Sequence, residues 1–270
     1  MKRVTYLIIL ILFPFIAQSQ IAKDFIRKGM VQDSIKDFRG AILYYTLAIE
    51  KDPNYIEAFL NRGNSKAELG DHEGAITDFT KAIDLDHDYP GAYFNRGNSE
   101  RAVKNYMGAI VDYTKTIELD PNYVGAYYFR GIVKGYLNDY KGSIIDFDKV
   151  IELDPSYGLA YFFRGFSKSF NKEFLSAISD YSKAIEIGPS NADAYLERGV
   201  LKYTLMDYRG ALSDLNTAIA LDPKNGRAYY NRGIVKIKLA QIESGCLDFS
   251  RAGELGISEA YEAIKSYCQN

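Results

Sequence analysis

The chain has 270 residues, of which 47% are hydrophobic and 25% are charged, with 33 Lys and Arg against 35 Asp and Glu. This composition is typical of a folded globular protein and excludes a disordered or collagen-like chain. The net charge is close to zero and no block of like charges occurs, so binding to nucleic acid through its phosphates, which needs clustered Lys and Arg, is not expected.

The first 19 residues have the pattern of a secretory signal peptide. Lys2 and Arg3 precede an apolar run over residues 4–17, which ends in the small residues that a signal peptidase reads. The run has about 14 residues, fewer than the roughly 20 that a membrane-spanning helix needs, so an uncleaved anchor is the lesser alternative. We therefore expect cleavage before Gln20, export to the periplasm or the extracellular space, and a mature chain with no membrane span.

The remainder of the chain consists of seven tandem repeats of one sequence unit. Glycines recur at intervals of 34 residues, at Gly29, Gly63, Gly97, Gly131, Gly165, Gly199 and Gly233. In this register the repeats begin at residues 22, 56, 90, 124, 158, 192 and 226, and a partial eighth begins at residue 260. The fourth position of every repeat is aromatic and the twentieth is small. A fixed period of this length is typical of a repeat architecture.

The spacing within a repeat predicts two helices. Positions 4 and 8 share one helix face, and positions 20, 24 and 27 share a face of the second helix. Glycine costs about 1 kcal/mol relative to alanine inside a helix, so we expect the second helix to approach closely at position 8. An Asp-Pro pair, as in Asp154-Pro155, ends the second helix because proline disfavours helical geometry in the residue before it. Each repeat is therefore predicted to be a helical hairpin.

These features resemble the tetratricopeptide repeat family over residues 22–259. The resemblance is specific in the fourth repeat, with Ala126-Tyr127, Gly131, Asp139-Tyr140 and the run Ile151-Glu152-Leu153-Asp154-Pro155. It implies an all-α fold, a right-handed superhelical solenoid with a concave groove, and a non-enzymatic protein. Together with the signal peptide, it predicts an exported protein of bacterial type. His87 departs from the family's turn proline, and Pro90 is expected to begin the next helix instead.

A second departure is an Arg before the glycine, where the family often has Leu. Position 23 of the same six repeats is Asp, whereas the first repeat has Lys28 and Tyr44 at the two places. Because Arg and Asp occur together, we predict that each Arg bridges the helices of its repeat by a charged hydrogen bond. A ladder of anion-binding arginines is the lesser alternative. The predicted pairs are Arg62–Asp78, Arg96–Asp112, Arg130–Asp146, Arg164–Asp180, Arg198–Asp214 and Arg232–Asp248.

The resemblance places the groove on positions 2, 5, 9, 12 and 13 of each first helix. In repeats two and three this surface is mixed and polar, and its candidate partner-binding residues are Asn64, Asn98 and Arg101. In repeats four to six it is apolar, and the candidates are Tyr128, Ile132, Tyr136, Phe162, Phe166, Phe170 and Tyr203. The family's capture of chaperone C-terminal carboxylates is not expected, because no groove position 5 is Lys or Arg.

Position 6 also differs between the middle repeats and the others. It is polar elsewhere but aromatic at Phe129 and Phe163, in repeats four and five. One interpretation is that these rings only thicken the core between repeats. The other is an exposed apolar surface that docks an extended or helical segment of a partner.

The sequence predicts no catalytic residues, no cofactor and no metal site. His72 and His87 lie among acidic residues, but a predicted helix of about 22 Å separates them, so we interpret them as exposed turn residues. No nucleophile elbow, phosphate loop or paired-cysteine spacing occurs.

The two cysteines, Cys246 and Cys268, lie in the last repeat and in the segment after it. An even count in an exported chain suggests a disulfide that pins a capping helix over residues 260–270. Two separate buried thiols and a reactive pair are the alternatives.

The repeats and their surface residues are compatible with two functions. The first is a scaffold of the cell envelope or extracellular space that binds a protein or peptide partner in its groove. The second is a structural module that forms a homo-oligomer through the aromatic surface of repeats four and five.

Overall fold

A computed structural model describes residues 19–268, so the predicted signal peptide lies outside the described residues except for Ser19. Within this range the chain forms helices α1 to α15 joined by short turns, and no strand. Helix α1 covers residues 19–34, and the others are α2 Phe38–Lys51, α3 Ile56–Glu68, α4 His72–Leu85, α5 Pro90–Ala102, α6 Tyr106–Leu119, α7 Val124–Tyr136, α8 Tyr140–Leu153, α9 Gly158–Phe170, α10 Phe174–Ile187, α11 Ala192–Thr204, α12 Tyr208–Leu221, α13 Gly226–Lys238, α14 Ile242–Glu254 and α15 Glu259–Tyr267. None of the helices in this range has the length and apolar character that crossing a membrane requires.

The predicted helical hairpins are confirmed. In one compact unit, residues 19–133, α3 packs against α4 and α5 against α6. In the second unit, residues 134–268, α9 packs against α10, α11 against α12 and α13 against α14. Second helices also pack against the first helix of the following repeat, as α4 does against α5 and α10 against α11. Pro90 is the first residue of α5, as predicted. The fold is an all-α helical-repeat solenoid.

The glycines at position 8 mark the closest approach of the two helices of a repeat. A Cβ added to Gly63 would lie 2.7 Å from the Phe79 ring, and one added to Gly233 would lie 2.7 Å from the Phe249 ring. Both distances are shorter than the closest contact that a methyl group makes with an aromatic ring. The predicted close packing is confirmed, and it explains why glycine is kept there despite its cost in a helix.

The turn inside each hairpin has a periodic backbone feature that the sequence does not display. Position 15 adopts a positive φ, although only the second repeat places a glycine there, at Gly70. The other residues with a positive φ are Lys36, Lys104, Asn138, Lys172, Met206 and Ala240. The following residue caps the second helix where it is Asp or Asn, as Asp71 does by accepting a hydrogen bond from the Gly74 amide.

The first repeat differs from the others at two positions. Position 3 is a fully buried alanine in repeats two to seven, but it is the exposed Asp24 in the first repeat. Lys28 lies where the other repeats have the Arg of the Arg–Asp pair. Its ammonium lies 5.6 Å from the Phe25 ring centroid and 6.0 Å from that of Tyr44.

At the other end, α15 covers the last repeat in a shifted register. The Ala260 amide donates to the Ile257 carbonyl, as the Ala126 amide does to that of Tyr123, so Ala260 is at position 3 and not at position 1. Two residues are missing because Gly256, with φ +92°, makes a tighter turn than the Asp-Pro segment of the other repeats. Cys246 and Cys268 form a disulfide that ties α14 to the end of α15.

Candidate functional site

The predicted bridges between Arg and Asp form within each unit. In the second repeat the Arg62 guanidinium donates from Nε and Nη2 to the Asp78 carboxylate, at 2.9 and 2.7 Å. The same two-pronged geometry occurs for Arg96–Asp112, Arg164–Asp180, Arg198–Asp214 and Arg232–Asp248. Arg130 and Asp146 belong to different units. Arg130 donates from Nη1 to the Thr114 hydroxyl at 3.0 Å, and the Lys134 ammonium lies 2.8 Å from Asp146.

In five of the six predicted pairs the Asp carboxylate also contacts a second cation, which the sequence pattern had not assigned. The Lys66 ammonium lies 2.8 Å from Asp78, and a lysine at the same position 11 makes the same contact in repeats four to seven. Repeat three differs, because Glu100 replaces the lysine and accepts a hydrogen bond from Asn105, the residue that caps α6. The buried carboxylates are thus fully paired.

The arginines of these Arg–Asp pairs also make contacts with the preceding repeat and with an aromatic ring. Arg62 donates from Nη1 to the Thr46 hydroxyl of the preceding repeat, and its guanidinium lies 5.7 Å from the Phe59 ring centroid. Equivalent contacts to the preceding repeat are made by Arg96, Arg130, Arg164, Arg198 and Arg232. These arginines tie repeats together and are not free to bind an anion.

The polar groove residues of the first unit line one cavity of about 550 Å³, here called the first-unit cavity. It lies between α3 and α5, with the beginning of α4 beside it. The predicted residues Asn64, Asn98 and Arg101 all contribute to it. The other lining residues are Ala67, Glu68, His72, Phe79, Asn95, Ser99 and Ala102.

Two hydrogen bonds fix the orientation of the cavity amides. Asn95 donates from Nδ2 to Oδ1 of Asn64 at 3.0 Å, and the Tyr113 hydroxyl donates to Oδ1 of Asn98 at 2.9 Å. Burial raises the pKa of Tyr113 to about 12, and the neighbouring Arg101 opposes that shift. The Tyr113 hydroxyl therefore keeps its proton at neutral pH and remains a donor.

Arg101 is held in the cavity by an aromatic ring. Its guanidinium carbon lies 4.9 Å from the Phe129 ring centroid, and its Nε atom is buried without a hydrogen-bond partner. His72 Nδ1 is in the same state. The interpretation of His72 as an exposed turn residue is wrong, since it begins α4 and is half-buried against the cavity, whereas His87 is exposed. Within residues 19–268 no group of three or more acidic, His or Cys side chains is arranged to hold a metal ion.

Phe129 packs among rings of the first unit. Its centroid lies 5.9 Å from that of Phe94, 6.3 Å from Tyr113 and 5.1 Å from Tyr128. Tyr128 is buried, while Phe129 and Ile132 are half-buried. In the described geometry, Phe129 thickens the core between repeats three and four.

The second unit presents exposed rings, here called the second-unit aromatic surface: Tyr136, Phe166 and Phe170. Their exposed fractions are 63%, 36% and 53%. Phe170 stacks on Tyr140 at 4.9 Å and contacts Phe166 at 4.8 Å between centroids. These contacts hold Phe166 and Phe170 in place while leaving part of each ring open to solvent.

The remaining predicted residues of the second unit are less exposed. Phe162 and Phe163 are half-buried, with Phe162 5.6 Å from the Tyr181 centroid and Phe163 6.0 Å from that of Phe147. Tyr203 is half-buried and lies 5.7 Å from Tyr208. The accessible part of this apolar stripe is therefore the second-unit aromatic surface.

Comparison with known proteins agrees with this architecture. Profiles described as TPR repeat and tetratricopeptide repeat match residues 63–100, 90–123 and 124–157. Residues 63–157 are therefore tetratricopeptide repeats. No curated protein sequence matches it.

Several solved structures share the fold. A crystal structure of MamA is 27% identical, covers 61% of this chain and 96% of that chain, and has a TM-score of 0.58. A tetratricopeptide repeat protein from Parabacteroides merdae is 21% identical and covers 92% of this chain and 97% of its own, with a TM-score of 0.67. The C-terminal part of a TPR repeat-containing protein from Cytophaga hutchinsonii is 16% identical, with coverages of 88% and 99% and a TM-score of 0.72. The last two show a common fold only.

Proposed function

We propose that the chain is a non-enzymatic protein-binding scaffold of the cell envelope or extracellular space. It holds a peptide or protein segment against the first helices of its repeats. The observation that carries the proposal is the second-unit aromatic surface, where Tyr136 and Phe170 expose more than half of their area. Export is supported by the N-terminal sequence pattern and by the disulfide, since disulfides persist in oxidising compartments.

The physical reason is that exposed, prepositioned rings are efficient binding groups. A ring such as Phe170 offers a large apolar area and has only two side-chain torsions to immobilise. Its stacking on Tyr140 already restricts those torsions before a partner arrives. Apolar groups of this kind, once covered by a partner, carry most of the energy of a typical interface.

The proposal is tested by capture of a partner from envelope extract with the mature chain and with the double variant Phe166→Ser, Phe170→Ser. We expect the double variant to lose the captured protein while its helical circular dichroism is unchanged. Leu175→Ser is the matched control, because Leu175 is 75% exposed but lies on the second helix of its repeat. Equal capture by the double variant and the control would contradict this role of the rings.

The same variants test self-association, the alternative function. Light scattering on a sizing column gives the mass of the mature chain in solution. A dimer that the Phe166 and Phe170 changes dissociate would assign the aromatic surface to a second copy of the chain. Amino-terminal sequencing of the protein recovered from the envelope tests export, with Gln20 expected as the first residue.

A further inference from the structure

We propose that the groove of repeats five and six selects a basic segment, in which an Arg or Lys cation packs against the exposed rings and pairs with nearby carboxylates. The inference rests on the proposed scaffold function and names the chemistry of the partner that the second-unit aromatic surface binds. It uses only α9 to α13, which lie within one unit.

The first argument is the charge that the first helices of repeats five and six leave accessible. Every Lys and Arg of α9 and α11 pairs with a buried Asp of its own repeat, at 2.5 to 2.8 Å. These pairs are Arg164 and Lys168 with Asp180, and Arg198 and Lys202 with Asp214. The other charged residues of the two helices are Asp193 and Glu197, both acidic. The charge that these helices offer to a ligand is therefore negative.

The two carboxylates differ in what they contact. Asp193 is exposed, and within residues 134–268 it makes no ion pair. Glu197 accepts a hydrogen bond from Arg227 of the next repeat at 3.0 Å. The Arg227 side chain is 61% exposed, and an exposed ion pair is weak, so the Arg of a partner competes with it effectively. The contact shows that the groove accommodates a guanidinium beside Glu197.

The second argument is that Glu197 lies next to the exposed rings. It occupies position 6 of repeat six, and Phe166 occupies position 9 of repeat five. In the first unit these two positions of neighbouring repeats meet, since Asn95 at position 6 donates to Asn64 at position 9. Burial raises the pKa of Tyr181 in α10, and the Glu197 carboxylate adds to that rise, so this carboxylate lies near the rings of repeat five. A cation bound to Glu197 is therefore adjacent to Phe166.

The third argument is that the exposed rings hold no cation of this chain. In repeats two to seven, the guanidinium of the Arg–Asp pair lies 5.4 to 5.7 Å from the centroid of the ring at position 4. Within the described second unit, no Lys or Arg lies over Phe166 or Phe170. A ring face attracts a cation electrostatically, so these two rings offer faces that a basic side chain of a partner can use.

The turn after α9 does not reverse the charge balance. It carries one charge of each sign, Lys172 and Glu173, and both are exposed. An acidic segment is disfavoured, because Asp193 and Glu197 repel it while the cations of α9 and α11 are already paired. The groove of repeats five and six therefore prefers Arg or Lys to Asp or Glu.

The test uses peptides of defined charge, so it does not depend on knowing the partner. The mature chain, labelled with ¹⁵N, is titrated with acetyl-Gly-Arg-Leu-Arg-Gly amide and with two analogues, in which citrulline or glutamate replaces both arginines. Citrulline has nearly the shape of arginine but no charge. We expect the arginine peptide to shift the backbone amide signals of α9 and α11. It should bind at least about fivefold more tightly than the citrulline peptide, and the glutamate peptide should bind most weakly.

Variants with the same change of charge separate a specific contact from general attraction. The double variant Asp193→Asn, Glu197→Gln should weaken binding of the arginine peptide at least about fivefold. The control is Glu152→Gln, Glu186→Gln, which removes two exposed carboxylates from second helices of the same unit and should leave the affinity within about twofold. Phe170→Leu keeps an apolar side chain but removes the ring, so it should weaken the arginine peptide about threefold more than the citrulline peptide.

The proposal is overturned if the arginine peptide does not bind, if the citrulline peptide binds equally well, or if the two double variants lose equal affinity. Failure of the scaffold function is a different outcome. If Phe166→Ser, Phe170→Ser loses the captured envelope protein but Asp193→Asn, Glu197→Gln retains it, the scaffold function stands and the selection of a basic segment fails. If neither variant changes capture, the scaffold function of the rings fails as well.

Discussion

Arg62 and Asp78, sixteen residues apart, join the two helices of the second repeat by a pair of hydrogen bonds, at 2.9 and 2.7 Å. Asp78 is only 1% exposed, and Lys66 approaches the same carboxylate at 2.8 Å. The first helix of the repeat thus supplies two positive charges to one buried negative charge. The same arrangement recurs in repeats five, six and seven.

Removing that carboxylate should destabilise the chain strongly. Asp78→Ala leaves Arg62 and Lys66 without their partner in a largely buried place, so we expect a loss of about 3 kcal/mol in the free energy of unfolding. Urea denaturation followed by circular dichroism measures it. Asp84→Ala is the control, because Asp84 pairs with Lys81 at the surface and should cost less than about 0.5 kcal/mol. Equal costs would show that the buried pair has no special role.

The close approach at position 8 predicts opposite effects for two substitutions of the same type. Gly63→Ala forces a methyl group against Phe79 and should cost about 1–3 kcal/mol. Gly135→Ala meets only the Ser143 hydroxyl, at 3.7 Å, so the better helix propensity of alanine should stabilise the chain by up to about 1 kcal/mol. Thermal melts of the two variants decide the matter, and a shift in the same direction would contradict the packing argument.

Glycine should be favourable at the strained turns. Ala240 has φ +61° and Met206 has φ +64°, where a side chain crowds the backbone and glycine does not. Ala240→Gly should therefore raise the stability by about 1 kcal/mol. Ala220→Gly, an identical change at an exposed position inside α12, should lower it by a similar amount. Denaturation midpoints that fall for both variants would exclude strain at the turn.

Reduction of the disulfide should loosen the C-terminal end. The bridge joins residues 22 positions apart, and closing a loop of this size stabilises a fold by about 3 kcal/mol. In the paired variant Cys246→Ser, Cys268→Ser we expect faster amide hydrogen exchange in α15 and the end of α14. Exchange in α3 to α6 is the internal reference and should not change. Uniformly faster exchange would indicate global unfolding instead.

Alkaline pH should destabilise the first unit. Burial raises the pKa of Tyr113 to about 12, above its ordinary value near 10, and burial also raises the pKa of Tyr45. The folded chain favours the neutral phenol, so this contribution is complete below pH 10 and is lost as the pH rises from 10 to 12. Tyr113→Phe should decline less steeply over that interval. Parallel urea titrations at pH 9, 10 and 11 measure the slopes, and identical slopes would contradict burial as the cause.

Several contacts could be read from the sequence because they repeat with it. The Arg–Asp pairs, the packing at glycine and the helix start at Pro90 were predictable, since each depends on residues that recur at fixed positions of one local hairpin. The contact of Lys66 with Asp78 was not predicted, although its recurrence at position 11 was a signal that could have found it. The partial burial of His72 and the contact of Arg101 with Phe129 each occur only once, so the repeat pattern does not predict them.

Spacing along the chain was enough to predict the helical hairpin, the close packing at glycine and the Arg–Asp pairs, because these depend on one helix and its neighbour. Which groove side chains are accessible could not be predicted in this way. The tertiary structure buries Tyr128, half-buries Phe129 and exposes Phe170, although all three lie on apolar first-helix positions. The physical reason is that a ring's exposure depends on how adjacent repeats pack around it, and that packing is set by three-dimensional contacts rather than by position in the repeat.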